Sequence, residues 1–297
     1  MTRKEGDGYK YMGCPPYFFL AWTHPYMINR SVIRWAGSKR QLIPRLLDWV
    51  PHSYKRYVEP FAGSACLFFF LEPKIAVLGD INAELMLTYR QLQRAPEKLH
   101  RALIKVPRNQ REYYRIRSLD PTMMLPFDRA VRFLFLNRNC FNGVYRLNKR
   151  GQFNVPWGDK TGAIPSLADF KRCAAVLRKA RLVVSDFEDI LDSAKRGDFV
   201  YLDPPYSKSV AGEPGLFGSG AFSRHDLKRL ADATRRLDRR GATYMLSFED
   251  TPELAEMLPH SRCISIEARR HVAGFSGARG KVSELLFTNA RMNRKNS

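Results

Sequence analysis

Cysteine is scarce in this 297-residue chain: Cys14, Cys66, Cys140, Cys173 and Cys263 are odd in number, scattered, and nowhere arranged as C-x-x-C. That spacing indicates neither a disulfide framework nor a zinc cluster. Long apolar runs are missing too. The longest, 17–22 and 65–71, fall far short of the roughly 20 residues that cross a bilayer, so no transmembrane helix is expected. A secretory leader is not legible, because Pro15, Pro16 and Pro25 break the apolar part of the first thirty residues. The chain therefore reads as cytoplasmic, with reduced thiols. The most telling shortage is of acid: 29 Asp and Glu stand against 50 Lys and Arg, a formal charge of +21. A field of that size favours a polyanionic partner such as nucleic acid or an acidic membrane.

What is present is an ordinary folding composition. Hydrophobic residues at 44% and charged residues at 27% exclude wholesale disorder, and the length suits one large domain or a core with an inserted module. Residues 1–26 show no helical or strand period and read as a poorly ordered extension, with Met27 as a candidate start. A strand at 56–59, a turn and a helix at 65–71 are followed by a strand at 75–78 ending in Gly79-Asp80, and Asn82 is placed to cap a helix over 83–93. Between 95 and 163 the alternation is interrupted by a segment rich in Arg, Asn and aromatics, with one helix over 127–138 and a long polar loop. Alternation then resumes with a helix at 167–179, strands at 181–185 and 198–202, and a helix opened by the Ser223/Asp226 capping-box spacing. Strands at 243–248, 263–268 and 284–288 complete the pattern. The expected organisation is a discontinuous α/β domain over 27–94 and 164–290, an insertion over 95–163, and a basic tail at 291–297.

The sharpest local feature is Asp203-Pro204-Pro205-Tyr206, directly after the buried strand 198–202. In an open parallel sheet, ligands sit beyond the carboxyl ends of the strands, so the tetrapeptide occupies the functional edge. Two prolines stiffen the backbone and bring a carboxylate, a carbonyl and an aromatic face into one small space. Such a site suits a planar base with an exocyclic amine: Asp203 and the Pro204 carbonyl each accept one amine hydrogen while Tyr206 stacks on the ring. Asp80, at the end of its own strand, sits where an acid can hold ribose hydroxyls, or can simply help cap the following helix.

With these residues in view, the chain from Ile33 to Phe287 resembles the Dam-type (D12 class) adenine-specific DNA methyltransferases. The resemblance rests on six collinear blocks: RWAGSK at Arg34–Lys39, VEPFAGS at Val58–Ser64, GDIN at Gly79–Asn82, LNR with FNG at 136–143, RGQFNVPWG at Arg150–Gly158, and Asp203 to Tyr206. It implies a Rossmann-like S-adenosylmethionine-dependent methyltransferase sheet with an inserted, mainly helical DNA-recognition module. It also implies cofactor contacts at Trp35, Lys39, Glu59, Phe61, Gly63, Asp80, Ile81, Asp186 and Asp203, and catalysis by Asp203, Pro204, Pro205 and Tyr206 without a metal. DNA contacts are implied at Arg34, Arg138, Asn139, Phe141, Asn142, Val144, Arg146, Asn154, Pro156 and Arg279. Arg146 matches a guanine reader, and Val144 and Pro156 match apolar contacts to a thymine methyl.

Interleaved basic, amide and aromatic residues on the inserted loop fit this reading, since they supply phosphate contacts, base-edge readers and stacking surfaces together. Arg269, Arg270, Arg279 and Lys281 around Gly274, Gly277 and Gly280 read as a flexible basic loop for phosphate. Val144 stands where the best-known members have a larger Leu, and Lys160 where they have an aromatic, so the target sequence, GATC in those members, stays open. The expected partner is double-stranded DNA, not a membrane, bound by a monomer; a cognate restriction enzyme is not readable from the chain. Methylation of adenine in RNA, and a DNA-binding protein that has lost activity on the same scaffold, are the alternatives.

Overall fold

In the computed structural model the described residues are 31–159, 161–205, 222–249, 252–269 and 281–292. The extension over 1–26, Lys160, Tyr206, the glycine-rich basic loop with Arg270 and Arg279, and the tail from 293 lie outside them. Seven strands form one sheet: β1 Arg56–Glu59, β2 Ala76–Asp80, β3 Ala180–Val184, β4 Asp198–Leu202, β5 Thr243–Glu249, β6 Arg262–Arg269 and β7 Lys281–Thr288. Their order is β3-β2-β1-β4-β5-β7-β6. The first five are mutually parallel and β7 runs antiparallel between β5 and β6. The chain winds outward from β1 to β3 and then returns to place β4 on the other side of β1. The order therefore reverses between β1 and β4, which is where open sheets of this kind leave a crevice at the strands' carboxyl ends.

Strand residues alternate between two buried clusters, as a period of two requires when both faces are covered. Tyr57, Phe199, Tyr201 and Met245 join one cluster; Val58, Val77, Val200, Leu202, Tyr244 and Leu246 join the other. The helices in chain order are α1 Ile43–Leu46, α2 Cys66–Leu71, α3 Ala83–Arg94, α4 Pro96–Lys105, α5 Gln110–Ser118, α6 Pro126–Asn139, α7 Leu167–Leu177, α8 Phe187–Asp192, α9 Arg224–Arg240 and α10 Pro252–Met257. The expected caps are present: Asn82 accepts from the Leu85 amide, and Ser223 with Asp226 forms a reciprocal capping box at α9.

The inserted segment holds more helix than its pattern announces. Beside α6, which the sequence indicates, it contains α4 and α5. Pro96 occupies the first turn of α4 and Asn109 caps α5 by accepting from the Glu112 amide. Their buried stripes are narrow, Leu99 with Leu103 and Tyr113 with Ile116, which is why a polar loop was the expectation. These residues and Phe133 to Leu136 of α6 share the first cluster with the sheet. The segment is thus cored against α3 and α7.

Candidate active site

A cavity of about 550 Å³ opens at the carboxyl ends of β1, β2 and β4. Its wall includes each of Trp35, Lys39, Glu59, Phe61, Gly63, Asp80, Ile81, Asp186, Asp203, Pro204 and Pro205. The strand order explains the convergence: the loops after β1 and β4 are neighbours across the reversal, and those after β2 and β3 complete the rim. Tyr206, expected beside them, lies outside the described residues.

The loop after β1 is shaped by Gly63. Its φ of +45° lies in the left-handed region, and a Cβ there would come within 2.7 Å of the Trp35 ring. Only glycine lets the indole lie against this backbone without strain. The Gly63 amide donates to Asp80 Oδ2 at 3.0 Å, the Asn82 amide donates to Asp80 Oδ1 at 2.9 Å, and Tyr89 donates to the Gly63 carbonyl at 2.7 Å. Asp80 therefore ties the β1 loop to the start of α3. Each carboxylate oxygen retains acceptor capacity for a hydroxyl. Burial pushes the Asp80 carboxyl up to about 6, with the two amide hydrogen bonds opposing the shift.

At the β4 end, Lys39 Nζ lies 2.7 Å from Asp203 Oδ1 and 3.9 Å from Glu284 Oε1. Ser247 Oγ donates to the same Asp203 oxygen at 3.2 Å. Both Lys39 and Ser247 hold Oδ1, so the carboxylate is fixed through one oxygen on the cavity wall. Burial raises the Asp203 pKa, and the Lys39 charge and the Lys39 and Ser247 hydrogen bonds pull it back. Glu59 is buried and accepts from the Tyr57 hydroxyl at 2.9 Å. Desolvation raises its pKa well above the usual carboxylate range against that hydrogen bond, and the Asp203 and Asp80 charges raise it further.

The far rim is aromatic. Phe61 stacks on Phe187 at 5.2 Å between centroids and meets Phe222 edge-on at 5.9 Å. Asp186 caps α8 through the Glu188 amide and is held by Arg229 at 2.6 Å; Arg229 also binds Glu188 and Asp226 and lies over the Phe187 ring.

The residues expected to contact DNA divide into two groups. On the loop after α6, Phe141, Asn142 and Pro156 are exposed and Val144, Arg146 and Asn154 half-buried. Arg146 Nε donates to Asn154 Oδ1 at 2.9 Å across a short hairpin, in which Leu147 also pairs with Phe153. Arg34 and Arg138 sit behind this loop. The Arg34 backbone exchanges hydrogen bonds with the Asn137 amide, and Arg138 Nη2 donates to the Val32 carbonyl at 2.7 Å. Burial brings the Arg138 pKa down to about 10, and the charges of Arg34 and Arg108 lower it further. Asn139 requires correction: it is fully buried, its amide donates to the Phe135 carbonyl, and its oxygen accepts from Arg108. It braces the end of α6 and is not presented to a duplex. Arg279 lies outside the described residues.

Several lining residues escaped sequence reasoning. Tyr145 and Leu147 reach the cavity from the insertion, and Phe187 and Phe222 close the aromatic rim. Ser247 carried one usable signal, a polar residue near the end of an apolar strand in the functional half of the sheet.

Comparisons with known proteins bear on this arrangement. The profile of the D12 class N6 adenine-specific DNA methyltransferases matches residues 35–272. A type II methyltransferase of Lactococcus lactis subsp. cremoris is 36% identical over 274 residues, covering 88% of this chain and 95% of its own length. A type II methyltransferase of Methanocaldococcus jannaschii is 32% identical over 241 residues, 73% of this chain and 83% of that one. A DNA adenine methylase of Salmonella typhi is 31% identical over 263 residues, 87% of this chain and 94% of that one.

Proposed function

The chain belongs to the D12 class of N6 adenine-specific DNA methyltransferases and methylates adenine in DNA; from that premise we propose that S-adenosylmethionine, which the family implies, is the methyl donor, and how the residues divide the work. The cavity at the β1/β4 reversal is the cofactor site. Its residues suit such a ligand: Trp35 and Phe61 offer aromatic faces, Asp80 accepts from ribose hydroxyls, Asp186 accepts from the adenine amine, and the glycine at 63 keeps the cradle open beside the indole. Glu59, Ile81 and Lys39 complete the contacts.

When bound, the cofactor supplies a methyl group already activated by its sulfonium, so the protein's contribution is mainly positioning and no metal is required. Asp203 and the Pro204 carbonyl accept the two hydrogens of the target amine and aim its lone pair, and Pro205 holds the turn. Tyr206 stacks on the base. The amine need not be deprotonated before attack; its proton leaves once the nitrogen is cationic. The target must be out of the duplex stack to reach this floor, so the reading includes base flipping in double-stranded DNA at a short specific site.

The insertion over 95–163 reads that site, with Arg146 at a guanine edge, Val144 and Pro156 against apolar groups, Phe141, Asn142 and Asn154 beside the opened base pair, and Arg34 and Arg138 towards phosphate. The protein acts as a monomer. One observation carries the whole reading: Asp203, Pro204 and Pro205 line the same cavity as the Asp80 and Gly63 cradle. Expression in a methylation-free host followed by genome-wide mapping of modified bases tests it. N6-methyladenine at one short motif is expected; methylated cytosine, or no modified DNA base, would refute it.

A further inference from the structure

Trp35, which covers the cofactor cradle, is held from two sides that belong to different parts of the chain. One side is the Gly63 backbone. The other is Tyr145 of the insertion, stacked on the indole with ring centroids 5.8 Å apart and planes 18° from parallel. Tyr145 in turn packs on Phe133 at 5.4 Å and on Phe153 at 5.6 Å, so the stack continues into the insertion's buried cluster. Burial, and after it the Glu84 charge, pushes the pKa of the Tyr145 phenol up to about 12. Tyr145 lines the cavity itself.

The next residue along the chain is Arg146, whose guanidinium is steadied by Asn154, while the Asn154 amide donates to the Arg146 carbonyl at 3.2 Å. One dipeptide thus reaches both ways. Its first side chain stacks on Trp35 at the cofactor cradle, and its second lies on the hairpin assigned to the duplex.

We propose that Tyr145 is the positioning residue that couples target-site recognition to cofactor binding, by fixing Trp35 over the cradle when the hairpin is ordered on its sequence. The inference rests on the assignment of the cavity to the cofactor and of the hairpin to DNA. Its physical basis is shared ordering: whichever ligand arrives first fixes the Trp35–Tyr145 stack, and the second binds a surface already arranged. An aromatic stack suits this role because it is specific in geometry, and Tyr145→Phe retains the ring that makes it.

The test uses the full chain and S-adenosylhomocysteine, which occupies the cofactor site without reacting. Its dissociation constant is measured by calorimetry with and without a duplex carrying the sequence mapped as methylated, and with a duplex altered at one base of that sequence. For the parent, the mapped duplex is expected to tighten S-adenosylhomocysteine about tenfold, within the usual range for coupled sites, and the altered duplex to do so far less. For Tyr145→Ala the gain from the mapped duplex should fall below about twofold, while Tyr145→Phe keeps most of it. Melting temperatures of both variants with and without S-adenosylhomocysteine show that each is folded and still binds. Should Tyr145→Ala misfold, Tyr145→Leu takes its place, since it fills the space without a ring. A Tyr145→Ala or Tyr145→Leu protein with the parent's full tenfold gain would overturn the proposal, as would a parent with no gain. A parent that binds no S-adenosylhomocysteine at all would instead overturn the cofactor assignment and take this inference with it.

Discussion

Titration of Asp80 sets a measurable limit on cofactor affinity. Its carboxyl, usually near 4, is pushed up to about 6 by burial even though the Gly63 and Asn82 amides both donate to it. Ribose hydroxyls donate best to the ionised form, so in acid the group must lose a proton before it can serve the ligand. The sign follows from that order: affinity is full well above pH 6 and falls as the pH drops through about 6. A group of pKa about 6 is about nine-tenths ionised at pH 7 and about one-tenth ionised at pH 5. Affinity for S-adenosylhomocysteine should therefore fall about tenfold, or about 1.4 kcal/mol, between those two values. Calorimetry at pH 5, 6, 7 and 8 in two buffers of different ionisation enthalpy reads both the affinity and the proton released. Asp80→Asn removes the charge and leaves one of the two backbone amides without its acceptor, so binding at pH 7 should weaken by about 1.5–3 kcal/mol. The variant should also lose most of the slope, which separates Asp80 from Asp203, whose pKa is raised in the same cavity. Equal affinity of the parent at pH 5 and pH 7, or an unchanged slope in Asp80→Asn, would refute the reasoning.

Asp203→Ala should abolish methyl transfer while duplex binding stays within a few-fold, because phosphate contacts supply most of the affinity; a gel-shift titration beside a radiolabelled transfer assay checks both, and turnover above a tenth of the parent's would remove Asp203 from catalysis. Arg146→Ala should cost about 1–3 kcal/mol on the preferred duplex and much less on a duplex altered at the guanine it reads, and a uniform loss over all duplexes would make Arg146 a phosphate contact. Asn154→Ala should shift the same comparison less, since it loosens the guanidinium without removing it. Gly63→Ala should destabilise the fold by about 1–2 kcal/mol through its left-handed φ, with loss of cofactor affinity as the new methyl displaces Trp35; denaturant titration with and without S-adenosylhomocysteine measures both, and an unchanged value in each would show that the indole moves aside at no cost.

Signals that act over a few residues were legible in the sequence. The caps at Asn82 and Ser223 depend on neighbours three positions away, and the strands at 56–59 and 198–202 on residues within each strand, and the structure has them where the pattern puts them. Helix α5, capped by Asn109, was not read from the sequence because only Tyr113 and Ile116 of its surface are buried. Asn139 was misjudged because its flanking residues resemble a polar loop, whereas α6 is buried nearly all round, from Ala130 through Phe133–Leu136 to Asn139 itself.

The sequence by itself determined the alternation of strand and helix, the shortage of negative charge, and the types of side chain at the strand ends. Those follow from backbone propensity, periodicity and short-range hydrogen bonding, which are properties of local chain. Only the tertiary structure decided what stands beside what: Ser247 on Asp203 across 44 positions, Asn137 on Arg34 across 103, and Tyr145 on Trp35 from the far side of the insertion. Such pairs carry no periodic signature, because they are created when β4 returns to the side of β1 and when the inserted helices settle on α3 and α7. Closing those long loops costs entropy that only the shared core repays, so the contacts exist as a consequence of the packed whole and not of any segment within it.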